Sequence, residues 1–293
     1  MRPRQTEAQH IAAKGLDARS DAQILAVLLD GQVQAVNSLA LTLPQVAAGA
    51  TLMAHTVTSG GRLIYAAAGS SGMMAFADAV ELGGTFGIPP AQIHILMAGG
   101  LPVDARMPGS TEDDTDDALA AAAVIQSGDA VITLSASGST PYSILIAQIA
   151  RERGAQVIGI SNNAGATLFD HADIAIHAPT PPEVIAGSTR LGAGTAQKVV
   201  LNMMSTLMGI RLGHVHDGMM VNLVADNEKL RGRAAGMVAQ IANVDTDSAK
   251  ASLEKAGGVV KLAVLLASGA DAAIAGQLLD DTKGNLRAAL ARL

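Results

Sequence analysis

The sequence predicts an α/β fold: a doubly wound, mainly parallel sheet flanked by helices, followed by a small C-terminal three-helix module. Three observations predict it. Short β-branched runs are apolar at consecutive positions, helix-length Ala-rich segments separate them, and the composition turns charged and Ala-rich after Asn243. Strands apolar on both faces need cover on both faces, which is what crossover helices of a parallel sheet provide. At 293 residues and 49% hydrophobic the chain can bury a sizeable core. Aromatic residues are only 2% and Trp is absent, so that core must come from Ala, Val, Ile, Leu and Met.

In chain order, apolar residues between Ser20 and Ser59 recur at helical spacing (Ile24, Leu25, Leu28, Val33, Val36, Leu39) with a break near Pro44, which predicts two helices. Strands are expected at Leu63–Ala67, Ile93–Met97, Ala130–Ser135, Val157–Ser161 and Ile174–His177. Each of the first four runs into a Gly-, Ser- or Asn-bearing turn. Thr195–Leu212 reads as a buried helix whose Met residues are core. Tail helices are expected at Asp247–Ala256, Val259–Ser268 and Asp271–Asp280, separated by Gly257-Gly258 and Gly269. The corresponding domains are N-terminal helices over 1–58, the sheet domain over 59–243 and a helical bundle over 244–293.

Composition excludes several functions. With Lys+Arg 20 against Asp+Glu 26 and a net charge of -6, no basic run gathers a nucleic-acid backbone, and aromatic stacking platforms are missing, so nucleic acid is not an expected partner. The chain has no Cys, which removes disulfides, thiolate nucleophiles and Cys-based zinc sites. The stretch Met1–Gln9 is polar and carries Glu7, unlike a secretory leader. No stretch offers about 20 uninterrupted apolar residues for a membrane span. A cytoplasmic protein without a membrane partner is expected.

The main site signal is Ser135-Ala136-Ser137-Gly138-Ser139-Thr140, between a buried strand and a helix opening near Pro141. Exposed backbone N–H groups, hydroxyls and a helix N-terminus can hold a phosphate without Arg or Lys. The same residues would serve an ordinary capped turn. A second such turn, Ala68-Gly69-Ser70-Ser71-Gly72, follows the first strand, and two turns of this kind favour binding. Neither matches a dinucleotide or Walker fingerprint, which disfavours nucleotides. Glu81 and Glu112 are acids an enzyme could use, although an acid at a helix start, such as Glu112, is also favoured by the dipole alone. Between Pro181 and Lys198 the residues Glu183, Ser188, Thr189, Arg190 and Lys198 make a segment too polar for a plain connector. His214 and His216 are spaced too loosely for a metal site and read as a surface turn; no metal is expected.

Ordered matches over nearly the whole chain resemble the N-acetylmuramic acid 6-phosphate etherase family, within the sugar isomerase (SIS) fold group. They include Gly69-Ser70-Ser71-Gly72, Asp78-Ala79-Val80-Glu81, Glu112-Asp113, Ala136-Ser137-Gly138 with Thr140-Pro141-Tyr142, Gly187-Ser188-Thr189-Arg190 and Ala193-Gly194-Thr195-Ala196-Gln197-Lys198. The tail resembles the family's small ubiquitin-associated-type bundle. The resemblance implies a cofactor-free, homodimeric lyase that cleaves the D-lactyl ether from C3 of N-acetylmuramic acid 6-phosphate, giving N-acetylglucosamine 6-phosphate and D-lactate. It implies Glu112 as the base at C2 and Glu81 as the acid at the lactyl oxygen. Ser70, Ser71, Gly72, Ser135, Ser137, Gly138, Ser139, Thr140, Glu183, Ser188, Thr189 and Lys198 are expected to bind substrate and its phosphate. Three family cations are replaced, at Met73, Ser139 and Gly192. Three other readings remain for this fold group: a lyase for a related amino-sugar phosphate, a non-catalytic sugar-phosphate sensor, which needs no acid–base pair, and an aldose–ketose isomerase, for which no ring-opening His is evident.

Overall fold

The computed structural model describes residues 5–107, 109–225 and 227–293; the first four residues of the stretch read as lacking a leader lie outside them. The chain forms two compact units. One comprises the residues up to Ala79 with Ala91–Ser205, the other Val80–Pro90 with Thr206–Leu293.

The first unit is built on a five-stranded, all-parallel sheet: β1 (Leu63–Ala67), β2 (Ile93–Met97), β3 (Ala130–Ser135), β4 (Gln156–Ser161) and β5 (Ile174–His177), in the order β2-β1-β3-β4-β5. All five expected strands form, β4 starting one residue early. β1 and β3 are buried at every position, as their unbroken apolar runs require. On one face Ile64, Ala66, Val131 and Val157 pack with Tyr142, Ile146, Ile149 and Ala150 of a helix over Pro141–Glu152 and with Ala118 and Ala122.

The N-terminal helices are α1 (Asp21–Asn37) and α2 (Leu43–Thr58). Ser20 and Gln23 close a capping box at the start of α1, and Pro44 sits in the first turn of α2, where its missing N–H costs no hydrogen bond. α2 buries Val46, Ala50, Leu52 and Met53. A Cβ on Gly49 would stand 2.4 Å from Met204 Sδ, so this residue type lets α2 approach closely. α1 behaves differently. Only Ala35 is buried, and Leu25, Leu29, Val33 and Val36 are exposed despite their helical spacing. Although no uninterrupted apolar run exists, Asp21–Thr58 taken together is, among the described residues, a helical stretch long and apolar enough to cross a bilayer by length and composition.

The other helices are α3 (Gly69–Phe86), α4 (Thr115–Ala121), α5 (Pro141–Glu152), α6 (Gly192–Arg211), α7 (Glu228–Ala242), α8 (Thr246–Lys255), α9 (Val260–Ala267), α10 (Ala272–Asp281) and α11 (Leu286–Leu290). In the second unit, Ala234, Ala235, Met237 and Val238 of α7 share one core with Ala249 and Leu253 of α8, Ala263, Val264 and Leu265 of α9, Ala275 of α10 and Leu286 of α11. The composition change after Asn243 therefore marks a turn inside this core, with Asn243 in the left-handed region at φ 53°, and α7 and α11 join the three expected helices.

Lys261 of α9 is 5% exposed, and burial pushes its ammonium down to about 8. Its charged form is disfavoured in the fold, so the unfolded chain binds more protons between about pH 8 and 10.5 and stability rises with pH through that window. Lys261→Met should remove that rise and stabilise the protein at pH 7 by up to about 3 kcal/mol, the size expected for an ammonium brought down from 10.5 to about 8. Urea melts at pH 7 and pH 10 measure both effects. Burial, with the Lys261 charge, likewise depresses His214 to about 4. Its contribution to stability falls as pH drops from 6.5 towards 4. His214 and His216 are thus not the surface turn expected: His216 is 8% exposed.

Candidate functional site

β2 and β3 lie on opposite sides of β1, so successive chain connections leave β1 and β3 in opposite directions along the sheet. This is the topological switch point of a doubly wound sheet, where the carboxyl ends of two strands open a crevice. Both hydroxyl-bearing turns sit there. Ala68 and the first turn of α3 follow β1; Ala136–Thr140 follows β3 and leads into α5.

A cleft of about 470 Å³ occupies this place. Ser70 and Ser71 line it from the first turn, Ser135, Ser137 and Thr140 from the second, Thr189 from the segment before α6, and Glu112 from a short 3-10 turn over Thr111–Asp113. Residues far apart in sequence therefore converge. Glu112 does not open a long helix: Asp114 caps α4 by accepting from the N–H groups of Asp116 and Asp117.

The hydroxyls are pre-arranged. Ser135 Oγ lies 2.8 Å from Thr140 Oγ1 and 3.2 Å from Ser137 Oγ, and it accepts the Gly138 N–H at 2.9 Å. Ser137 Oγ accepts from Ser139 N–H at 3.2 Å and from Ser139 Oγ at 3.1 Å. Such a ring of donors at a helix N-terminus suits a phosphate, whose oxygens accept what the hydroxyls and N–H groups offer. Gly138 holds the turn in shape. Its φ is +69°, and an added Cβ would fall 2.1 Å from Ala166 Cβ and 2.6 Å from Ser161 Oγ.

Other expected contact residues have structural tasks. Gly72 packs on Met97, where a Cβ would meet the side chain at 3.1 Å. Glu183, 4% exposed, accepts the Gly192 N–H at 2.9 Å and the Ala193 N–H at 2.8 Å, one on each carboxylate oxygen. It is the anionic cap of α6 and does not line the cleft, a correction with a physical cause: two of the helix's unmatched donors take both oxygens. A side chain at Gly192 would press on Glu183 Oε2 at 3.2 Å and Ala35 Cβ at 3.3 Å, so the small residue fits this packing. Ser188 is half-buried in the same segment. Lys198 is exposed on α6 and bonds Asn202 Oδ1. Glu81 is exposed on α3, within the stretch belonging to the second unit.

Sequence reasoning did not single out two features. Glu7 lines the cleft, brought there by a fold contact that no local pattern announces. Asp78, 5% exposed, accepts hydrogen bonds from Tyr65 Oη, Asn202 Nδ2 and Ser205 Oγ, each at 2.9 Å. Burial raises its carboxyl above the usual range, opposed by these hydrogen bonds and the Lys198 charge. The network ties β1 and α3 to α6. A buried carboxylate satisfied by three donors is a structural clamp.

Among the described residues, the cleft lining contains two carboxylates, Glu7 and Glu112, and no Lys or Arg. A larger cavity of about 660 Å³ lies in the second unit beside α7, α8 and the Gly257-Gly258 turn; among the described residues its lining includes Glu228, Arg231, Lys250 and Glu254 but no Ser or Thr. Among the described residues, no group of three or more His, Cys, Asp or Glu side chains is arranged to hold a metal ion.

Residues 109–207 match the SIS domain model. The fold resembles a putative phosphosugar isomerase involved in capsule formation from Bacteroides fragilis, with a TM-score of 0.55 and 20% identity over 68% of this chain and 95% of that one. Curated relatives are much nearer in sequence. An N-acetylmuramic acid 6-phosphate etherase from Burkholderia lata is 40% identical, covering 98% of this chain and 96% of its own. One from Deinococcus radiodurans is 38% identical over 98% and 95%, and one from Symbiobacterium thermophilum 41% identical over 85% and 84%. Identity at this level, sustained from end to end and carried on a sheet whose switch point holds the paired hydroxyl turns, places the chain in the N-acetylmuramic acid 6-phosphate etherase family.

Proposed function

We propose that this protein is a cofactor-free carbon–oxygen lyase that cleaves the D-lactyl ether of N-acetylmuramic acid 6-phosphate, giving N-acetylglucosamine 6-phosphate and D-lactate. End-to-end identity of about 40% to etherases carries the substrate and reaction. The phosphate sits in the Ser135–Thr140 turn with help from Ser70 and Ser71. In the open-chain sugar the aldehyde acidifies the proton on C2. Glu112 removes it, the C3–O bond breaks, and Glu81 protonates the departing lactyl oxygen. Water then adds across the C2–C3 double bond, its hydroxyl to C3 and a proton to C2.

The experiment is to incubate the purified chain with N-acetylmuramic acid 6-phosphate and assay D-lactate. Release of one lactate per sugar supports the lyase. Tight binding of hexosamine phosphates without release would replace it by the sensor.

The protein works as a cytoplasmic homodimer in this reading. The exposed stripe Leu25, Leu29, Val33 and Val36 on α1, with 64, 65, 46 and 38% exposure, is the face that a second copy would cover. Leu29→Glu should then shift the sedimenting species from dimer to monomer at micromolar concentration. A variant that sediments like wild type places the contact elsewhere.

A further inference from the structure

The cleft contains a carboxylate with no task in the reaction just described. Glu7 lines it together with Glu112 and the Ser137 turn. Its position is enforced by a buried side chain, Asn163, 5% exposed, in the loop after β4. Asn163 Oδ1 accepts the Gln5 N–H at 2.9 Å and the Thr6 N–H at 3.4 Å. Its Nδ2 donates to Thr6 Oγ1 at 3.0 Å and to the carbonyls of Ala136 at 3.1 Å and Ser137 at 3.3 Å. One amide thus fastens the N-terminal segment directly to the backbone of the phosphate turn. Thr6, 3% exposed, is the anchored residue, and Glu7 follows it into the cleft.

Gly187, at φ +74°, also lines the cleft. Glu7 Oε2 lies 4.0 Å from where a Cβ on Gly187 would be, so the glycine leaves the carboxylate open space on that side. A carboxylate in a cleft that binds an anion is unfavourable unless the ligand supplies a hydrogen-bond donor to it, because two negative charges in a partly dry site repel. Phosphate oxygens of the dianion offer none. The donors on an amino-sugar phosphate are its hydroxyls and its amide N–H, all away from the phosphate.

We propose that Glu7 is a substrate-contacting, specificity-determining residue: with the phosphate seated in the Ser135–Thr140 turn, its carboxylate accepts a hydrogen bond from a hydroxyl or the amide N–H of the sugar, and Asn163 is the positioning residue that sets it there. This rests on the sugar-phosphate reading of the cleft, though not on lyase chemistry. It also gives a selective logic to a cleft whose described lining carries two carboxylates and no Lys or Arg. Phosphate alone is met by neutral donors and repelled by two carboxylates, whereas a phosphate carrying a polyol satisfies the carboxylates.

The test is calorimetric titration of the intact protein with N-acetylglucosamine 6-phosphate and, separately, with inorganic phosphate. Glu7→Gln and Glu7→Ala should each weaken sugar-phosphate binding about tenfold or more, the usual effect of losing one charge-assisted hydrogen bond. Inorganic phosphate should bind as in wild type or slightly more tightly. Glu7 is exposed, so both variants should fold, which the thermal midpoint checks. Variants that bind the sugar phosphate within twofold of wild type overturn the proposal, as does an equal loss for both ligands, which would mean that Glu7 only shapes the turn. Wild-type protein that binds neither ligand overturns this and the reading of the cleft together. Wild-type protein that binds but releases no lactate overturns only the lyase. For Asn163, the readout is the ratio of the two affinities in a double-mutant cycle with Asn163→Ala. If Asn163 acts through Glu7, its removal changes that ratio little once Glu7 is Gln; additive changes would assign Asn163 no positioning role.

Discussion

Glu112→Gln should lower the rate of D-lactate release by roughly 10²- to 10⁴-fold, the usual contribution of a positioned general base. The side chain keeps its size and its place on the Thr111–Asp113 turn, so KM should change far less than kcat. The step involved can be isolated. In deuterated water the C2 proton of substrate or product should exchange in the wild type and fail to exchange in Glu112→Gln. Glu81→Gln should slow lactate release while leaving C2 exchange intact, since the two carboxyl groups act on different atoms. Full activity in Glu112→Gln would remove the base assignment. Lost exchange in Glu81→Gln together with retained exchange in Glu112→Gln would invert the two roles.

Gly138→Ala should be the most damaging single methyl in the first unit. The position is left-handed at φ +69°, which Ala adopts only under strain. The new Cβ would also overlap Ala166 Cβ at 2.1 Å and Ser161 Oγ at 2.6 Å, and neither neighbour is the free end of a flexible side chain. Strain and overpacking together are worth about 2–4 kcal/mol. The turn would have to move to relieve them, and with it the Ser135, Ser137 and Thr140 hydroxyls. Urea denaturation should show the loss of stability, and inorganic phosphate binding should weaken in the molecules that remain folded. Stability within about 0.5 kcal/mol of wild type, the range of a neutral surface change, would mean that the turn has slack the structure does not show.

Much of this site was legible from residue order because its parts are local. A buried β-branched run ending in Ser-Ala-Ser-Gly-Ser-Thr, then Pro141, specifies strand, turn and helix start by burial, hydroxyl content and the fixed φ of proline. That pattern recurs after β1, and parallel topology brings both turns to one edge. Glu183 shows the limit. A buried acid before a helix reads equally as ligand contact or cap, and the choice rests on which N–H groups stand nearest. α1 shows another. Its helical spacing was visible, yet the structure leaves the apolar stripe uncovered, because spacing says which residues share a face and not what lies against it.

By itself, then, the sequence determined the five parallel strands, the helices between them, the two hydroxyl turns and the family, all of which follow from local pattern or from ordered matches along the chain. Only the tertiary structure decided that Glu7 reaches the cleft through Asn163, that Glu183 caps α6, and that α7 packs with the tail helices. These depend on contacts between residues up to 158 positions apart. Such contacts form only when the whole chain has closed, and no periodicity along it encodes them.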